Sequence, residues 1–326
     1  MVKIGVAINH KKGRCNIKYL RSESQAFDRQ INDRIAHGFI PDLRRLRKVP
    51  WFYNNPWREP EFAKIVWFPT LEKILGQARS NGGPVLEVGC GHGMLALELA
   101  RTGLAVTAID LSPRSIEVAQ VFKRKAKLKK SAGMLEYKCG DFLQMDLPLQ
   151  SFKTVIFFRS MHHFPNFKAA IRKSHALLTQ GGQLIICEPI RSKFTPESAQ
   201  FALILRTILP TWESFDSKLT AKWDKSLWSA KVRKIFAEYV YEGQHNQSAL
   251  DNSVASDLPI LNTIRGLFNV KYIRYSNAFI DKLIGGLRGP HRFKLAEFIM
   301  FLDDHFVAEK ILPPTSMTVI ANKKRK

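Results

Sequence analysis

The stretch VLEVGCGHGMLALELA, residues 85–100, decides the fold. It places Gly89, Gly91 and Gly93 between a short apolar run and a run rich in leucine and alanine, an order typical of a strand, a tight loop and a helix. A loop of this kind can hold a phosphate or a dinucleotide. However, its pattern is GxGxG rather than GxGxxG, and no Gly-Lys-Ser/Thr follows. Alternatively, the glycines of this loop only permit a positive φ angle or a close packing contact.

Strand-like and helix-like segments alternate along the next 90 or so residues. Further strands are predicted over 104–110, 134–141, 154–160 and 183–189. Helices are predicted after the N-cap Ser112, where Pro113 takes the first helical position, and over 166–178. This alternation indicates an α/β protein with a parallel sheet and helices on both faces.

Two aspartates follow neighbouring strands at the edge where such sheets bind ligands. Asp110 ends the second strand, where a carboxylate can accept hydrogen bonds from both hydroxyls of a ribose. Asp141 ends the third strand, where it could accept from an adenine amino group while the Phe142 backbone N–H donates to a ring nitrogen. Each aspartate alone also fits a turn or cap. With the glycine loop, they outline one adenosine-bearing ligand.

The composition is that of an ordered globular protein, with 326 residues of which 45% are hydrophobic and 24% charged. The net charge of +23 is spread along the chain and fits RNA, an anionic membrane surface or an acidic substrate. The four cysteines lack CxxC spacing, so we expect reduced thiols. With neither a signal-like apolar region at the N-terminus nor a long apolar run, we expect a cytoplasmic protein.

Five segments in order resemble the motifs of the class I S-adenosylmethionine (SAM)-dependent methyltransferases. They are VLEVGCGHG, AIDLS, CGDF, FFRSMHHF and LLTQGGQLIICEP, within about a third of the chain. The resemblance implies SAM as cofactor and a Rossmann-like fold, with a seven-stranded, mostly parallel sheet and an antiparallel last strand. The segments 269–275 and 316–323 then become the sixth and seventh strands, separated by a helix over 291–312.

The same resemblance implies a set of cofactor-binding residues. The loop of Gly89, Gly91 and Gly93 would line the methionine part with Glu87 beneath it, Asp110 would hold the ribose, Asp141 and Phe142 the adenine, and the backbone around Phe158 and Arg159 would face the methionine amino group.

The chain divides into four predicted segments around this core. They are an N-terminal helical cap (1–82), the SAM-binding core (83–190), a helical lid insertion (191–265) and a C-terminal completion of the sheet with strands six and seven (266–326). The cap and the lid are additions, for which we expect a place over the substrate opening.

His162 and His163 follow the fourth strand, on the side where the methyl group of SAM should project. The enzyme mainly has to align a nucleophile and exclude water, but a hydroxyl nucleophile also calls for a general base, and histidine takes a proton near neutral pH. Alternatively, the pair caps the turn or packs against the sheet. No metal site is predicted, since histidines and carboxylates show no convincing ligand spacing.

The segment 40–62 mixes arginines with aromatic residues, and Arg44, Arg45, Tyr53, Trp57 and Arg58 are predicted to contact the acceptor. Such a mixture can clasp an anionic, partly apolar molecule through bidentate contacts and stacking, and it also suits RNA. The alternative is a cap with buried aromatic rings and solvated arginines. FFRSMHHF resembles the small-molecule branch of the family more than the enzymes that methylate amino groups or cytosine C5.

The sequence therefore predicts methyl transfer from SAM to a small or lipid-like, anionic metabolite under a helical lid. An RNA methyltransferase, favoured by the charge of +23, is the second choice. A SAM-binding interaction protein without catalysis is the third. The segment 201–212 also leaves peripheral contact with a membrane surface open through a basic amphipathic face.

Overall fold

The computed structural model describes residues 10–213, 222–248, 250–251 and 256–324, with side chains from residue 20 onward. The strands are β1 (Val85–Val88), β2 (Val106–Asp110), β3 (Leu135–Cys139), β4 (Phe152–Phe158), β5 (Leu178–Pro189), β6 (Phe268–Ser276) and β7 (Ser316–Lys323). They form one sheet in the order β3-β2-β1-β4-β5-β7-β6. β7 runs antiparallel to β5 and β6, and the other neighbours are parallel. This confirms the predicted sheet.

Helices cover both faces of the sheet and add a cap. They are α1 (His10–Ala36), α2 (Pro60–Val66), α3 (Phe68–Asn81), α4 (Met94–Arg101), α5 (Pro113–Ala126), α6 (Phe167–Leu177), α7 (Pro196–Ile208), α8 (Lys225–Val240), α9 (Asp257–Leu267) and α10 (Arg292–Ala308). The Ser112 side chain caps α5 by accepting from the Ser115 N–H, as the sequence predicted. Among the described helices, none has both the length and the apolar content needed to cross a bilayer.

Alternating side chains of the central strands enter two separate cores. Val155 and Phe157 of β4 pack on one face of the sheet with α6 and α9. Ile156 packs on the opposite face with α3, α4 and α5. Because both faces are buried, these strands are predominantly apolar, which is why the sequence predicted them.

A third apolar cluster joins segments that lie far apart in the chain. It brings α2 together with α7, α8, α10 and the stretch 278–287. The predicted cap (1–82) and lid (191–265) thus share one core, and part of the predicted C-terminal completion belongs to it as well. Residues 1–9, 214–221, 249 and 252–255 of the cap and lid lie outside the described part of the chain.

Candidate active site

The carboxyl ends of β1, β2, β3 and β4 open into one cavity of about 770 Å³. This volume lies within the range of small-molecule and cofactor sites. One side of the cavity consists of the loops that follow these strands. The other side consists of α1, Trp57, Trp67 and residues of the lid region, including Arg191 and Tyr241.

The three glycines after β1 have positive φ angles of 73°, 52° and 78°, but their surroundings differ. A Cβ at Gly89 would lie 2.3 Å from the Ser160 Cβ, and one at Gly93 would lie 2.4 Å from the Tyr137 hydroxyl oxygen. At Gly91 a Cβ would meet no protein atom within 4 Å. Gly89 and Gly93 therefore permit close packing, whereas Gly91 borders open space in the cavity.

Asp110 ties this loop to β2. Its Oδ2 accepts from the Gly91 N–H at 2.7 Å, and its Oδ1 accepts from the Ser112 N–H at 2.9 Å. Burial raises the pKa of Asp110, and these two hydrogen bonds oppose the shift. Since each carboxylate oxygen has a second lone pair, Asp110 can still accept from a ligand in the cavity.

Asp141 and Phe142 line the cavity where the chain leaves β3. The Asp141 Oδ1 accepts from the Leu143 N–H at 2.9 Å. The Phe142 ring is buried in the core, edge-on to Phe157 and Phe164. The ring of Phe142 therefore belongs to the core packing, which leaves its backbone as the part that a ligand in the cavity could contact.

Glu87 lies beneath the glycine loop with its side chain buried. Its Oε2 has no hydrogen-bond partner among the described residues. Burial, and then the charge of Asp110, raises the pKa of Glu87 to about 8. A buried oxygen without a partner at the cavity wall is a place where a donor on a ligand would be stabilised.

His162 lies in a short turn (Met161–His163) after β4, with carboxylates near both ring nitrogens. Its Nδ1 is 2.7 Å from the Glu188 Oε2, and its Nε2 is 3.6 Å from the Asp251 Oδ1. Glu188 also accepts from the backbone N–H groups of Ser160 and Met161, so it fixes the turn. Burial lowers the pKa of His162 well below its usual range. His162 is thus a neutral residue that holds the turn in place.

His163 is oriented differently, by a carboxylate from α1. Its Nδ1 is 2.8 Å from the Glu23 Oε1, and its ring contacts Phe27 edge-on. Glu23 in turn accepts from the Ser248 hydroxyl at 2.7 Å and from the Leu250 N–H at 2.8 Å. The ring lines the cavity and has its second nitrogen, Nε2, to offer a ligand.

The sequence prediction placed the N-terminal cap over the substrate opening but named no residue of α1 as lining the cavity. The α1 residues that line it are Leu20, Glu23, Phe27, Gln30, Ile31 and Arg34. Their spacing of three to four residues puts them on one face of the helix. This periodicity was present in the sequence. The face mixes charged, polar and apolar residues, which does not indicate by itself what it contacts.

The structure also brings together His162, His163 and Asp251, with their ligand atoms within 4.8 Å of one another. The Arg191 Nη1 lies 2.6 Å from the Asp251 Oδ1, and Glu23 already bonds to His163. A guanidinium beside the carboxylate opposes a second cation there. The cluster is therefore an ion-pair and hydrogen-bond network rather than a good cation site.

Of the five predicted acceptor contacts, Trp57 lines the cavity. Arg44 and Arg45 border a separate depression, with Arg44 3.3 Å from Glu98. Tyr53 is exposed.

Arg58 is buried and donates to the Gly285 and Leu287 carbonyl oxygens at 2.6 and 2.7 Å. Its donors hold the cap to the 285–287 turn, and Arg58 does not line the cavity. The cations that do line the cavity are Arg34, Arg159, Arg191 and Lys282.

Comparison with known proteins identifies a methyltransferase domain within the chain. Residues 86–186 match the model of a methyltransferase domain. The ubiquinone biosynthesis O-methyltransferase of Xanthomonas euvesicatoria pv. vesicatoria is 34% identical over 118 residues, which are 36% of this chain and 47% of that protein. The protein of the same name from Coxiella burnetii is 32% identical over 114 residues, 35% of this chain and 47% of the relative. The chain thus spans about half the length of the curated relatives it matches.

A solved structure of an S-adenosylmethionine-dependent methyltransferase from Mesorhizobium loti is similar with a TM-score of 0.45 and 18% identity, covering 78% of this chain and 97% of the other. The family match falls on the strands whose carboxyl ends form the cavity. Residues 86–186 therefore carry a methyltransferase domain.

Proposed function

We propose that this protein transfers the methyl group of SAM to a hydroxyl oxygen of a small, partly apolar acceptor. The observation that carries the proposal is the convergence of three loops, after β1, β2 and β3, on one cavity in which Asp110 bonds to the Gly91 N–H. The names of the relatives, ubiquinone biosynthesis O-methyltransferases, support oxygen as the nucleophile.

The loops offer groups that match the parts of SAM. Asp110 would accept from the ribose hydroxyls through its remaining lone pairs, and Asp141 from the adenine amino group. The open space at Gly91 suits the methionine part, and the Glu87 Oε2 offers an acceptor for the ammonium group. When bound, SAM supplies a methyl group on a positively charged sulfur.

His163 is the proposed general base. Its Nε2 would take the proton of the acceptor hydroxyl as the new O–C bond forms, the S–C bond breaks and S-adenosylhomocysteine leaves. Glu23, at 2.8 Å from Nδ1, would fix the ring orientation and stabilise the imidazolium. His162 is a poor base by comparison, because burial lowers its pKa well below the usual range.

The acceptor is proposed to be a small or lipid-like metabolite. Phe27, Ile31, Trp57 and Trp67 give the cavity an apolar part, and the cap shields it. Shielding favours methyl transfer because it excludes water from the reacting groups. RNA, the alternative suggested by the net charge of +23, is an outcome of the test below.

The test is to incubate the purified protein with SAM carrying a radioactive methyl group and with host extract. Organic-soluble material, small polar metabolites, RNA and protein are then separated. We expect label in one of the first two fractions, its loss in Asp110→Ala, and its retention in Asp146→Ala, which changes an exposed aspartate of the loop after β3. Label in RNA would establish the RNA alternative. SAM binding without label in any fraction would contradict catalysis.

A further inference from the structure

A group of basic side chains lines the cavity beside the lid region. It consists of Arg159 after β4, Arg191 after β5, and Lys282, arranged around Tyr241, and we call these four residues the basic pocket. We propose that the basic pocket binds an anionic group of the acceptor, a carboxylate or a phosphate. The assignment of this anion to the acceptor rests on the proposed function.

Arg159 offers the free donors. Its guanidinium lies 4.9 Å from the Trp67 ring, and within the described part of the chain no oxygen accepts a hydrogen bond from it. The guanidinium carries five N–H donors that match the geometry of carboxylate or phosphate oxygens. An arginine that lines a cavity and has no hydrogen-bond acceptor of its own is therefore placed to bind an anion from solution.

The backbone of Arg159 has an unusual conformation that fixes this placement. Its φ angle is 55°, in the left-handed region that is costly for residues other than glycine. The Arg159 N–H donates to the Cys187 carbonyl oxygen at 2.8 Å, which ties the strained residue to β5. Such conformations concentrate at functional sites, where surrounding contacts hold them.

Tyr241 reports the electrostatic potential of the basic pocket. The Lys282 Nζ donates to its hydroxyl oxygen at 2.8 Å, and the Arg191 guanidinium carbon lies 3.8 Å from its ring centre. Burial opposes ionisation of the phenol, yet the pKa of Tyr241 is lowered because Lys282 and the neighbouring arginines outweigh the burial. Lys282 and the neighbouring arginines thus create a positive electrostatic potential at the cavity wall.

Carboxylates lie near the basic pocket, but none among the described residues accepts a hydrogen bond from the Arg159 guanidinium. Arg191 pairs with Asp251 at 2.6 Å, and Asp281 lies on the same cavity wall. Glu188 and Asp281 also act on Arg159 through space, Glu238 acts on Lys282, and Arg34 is a further cation elsewhere on the cavity wall. A bound anion that contacts the Arg159 guanidinium directly would be stabilised there, because charge–charge interactions are stronger inside a cavity than in bulk water.

The test uses small probes with the protein saturated by S-adenosylhomocysteine. The probes are benzoate, octanoate and phenyl phosphate, with benzamide and octanamide as neutral counterparts, and calorimetry gives the dissociation constants. We expect at least one anionic probe to bind about tenfold or more tightly than the amides, because hydrogen bonds to charged groups are the stronger ones. The tighter of the carboxylate and phosphate probes identifies the anion.

Arg159→Gln and Lys282→Met should each weaken the anionic probe about tenfold or more. Lys282→Met should leave the dissociation constant of S-adenosylhomocysteine unchanged, which also shows that it folds, and Arg159→Gln should still bind S-adenosylhomocysteine because the cofactor is expected to meet only the backbone of this residue. Arg79→Gln, at an exposed arginine of α3 that does not line the cavity, is the matched control and should change neither constant.

Equal binding of amides and anions, or no binding of any probe, would overturn the proposal. So would an Arg159→Gln variant that loses S-adenosylhomocysteine but retains benzoate, because Arg159 would then serve the cofactor. Failure of the proposed function has a different signature, since anion binding would persist without methyl transfer.

Discussion

Replacing Gly91 with alanine should weaken SAM binding in addition to destabilising the fold. Gly91 has a φ angle of 52°, and an added Cβ would meet no protein atom within 4 Å. Gly243 has nearly the same φ angle, 57°, and is equally open, but it lies in an exposed turn of the lid. Gly243→Ala is therefore a matched control for the backbone strain.

The left-handed conformation costs a residue with a Cβ roughly 1–2 kcal/mol, so both variants should lose about that much unfolding free energy. In Gly91→Ala the new methyl group also projects into the space assigned to the cofactor. An extra methyl in a packed site costs about 1–3 kcal/mol, which corresponds to a dissociation constant for SAM raised by about 5- to 150-fold.

Calorimetry with SAM and thermal unfolding of both variants provide the measurements. We expect equal losses of stability and a weakened SAM affinity in Gly91→Ala alone. An unchanged dissociation constant in Gly91→Ala would refute the assignment of this loop to the cofactor.

Three further predictions concern the proposed base, the ion-pair network and a buried carboxyl. His163→Gln should lower kcat by about 10²–10⁴-fold with SAM affinity retained, and Glu23→Gln should lower kcat less and shift its pH profile; full activity in His163→Gln would exclude it as the base. Incubation with EDTA should leave kcat unchanged, because Arg191 rather than a metal ion neutralises the carboxylate of Asp251. A loss of activity that Mg²⁺ restores would contradict this. Burial raises the pKa of Asp303 from 3.8 to about 7, so the folded state keeps a proton that the unfolded chain loses, and stability falls as pH rises through this window. The unfolding free energy of Asp303→Asn, measured relative to wild type in denaturant titrations, should therefore rise by up to roughly 4 kcal/mol from pH 4 to pH 8. If this difference between variant and wild type stays constant with pH, Asp303 ionises normally.

The sheet and the cofactor loops could be predicted because their signals are local. β1 and β2 are mostly buried and apolar, the glycine loop follows β1, Asp110 is the last residue of β2, and Asp141 follows β3. The strand ends then converge because parallel strands share an edge.

The acceptor side could not be predicted in the same way, because its contacts join distant parts of the chain. The mixture of arginine and aromatic residues over 40–62 does not reveal where each guanidinium points. Arg58 bonds to a carbonyl 227 residues away, at Gly285, and is thereby removed from the cavity. Glu23 bonds to Ser248 and Leu250, at similar separations, and is thereby brought to His163.

This division limits what the relatives say about the acceptor. The family match covers residues 86–186, which include Asp110, Asp141 and both histidines. Glu23 and three members of the basic pocket, Arg191, Tyr241 and Lys282, lie outside the matched region. The shared region contains the groups proposed to bind SAM, whereas the groups proposed to orient the base and bind the acceptor's anion come mostly from the additions. The identity of the acceptor should therefore depend on residues of the cap and lid. Exchanging residues of the basic pocket should then change acceptor preference while SAM affinity stays constant.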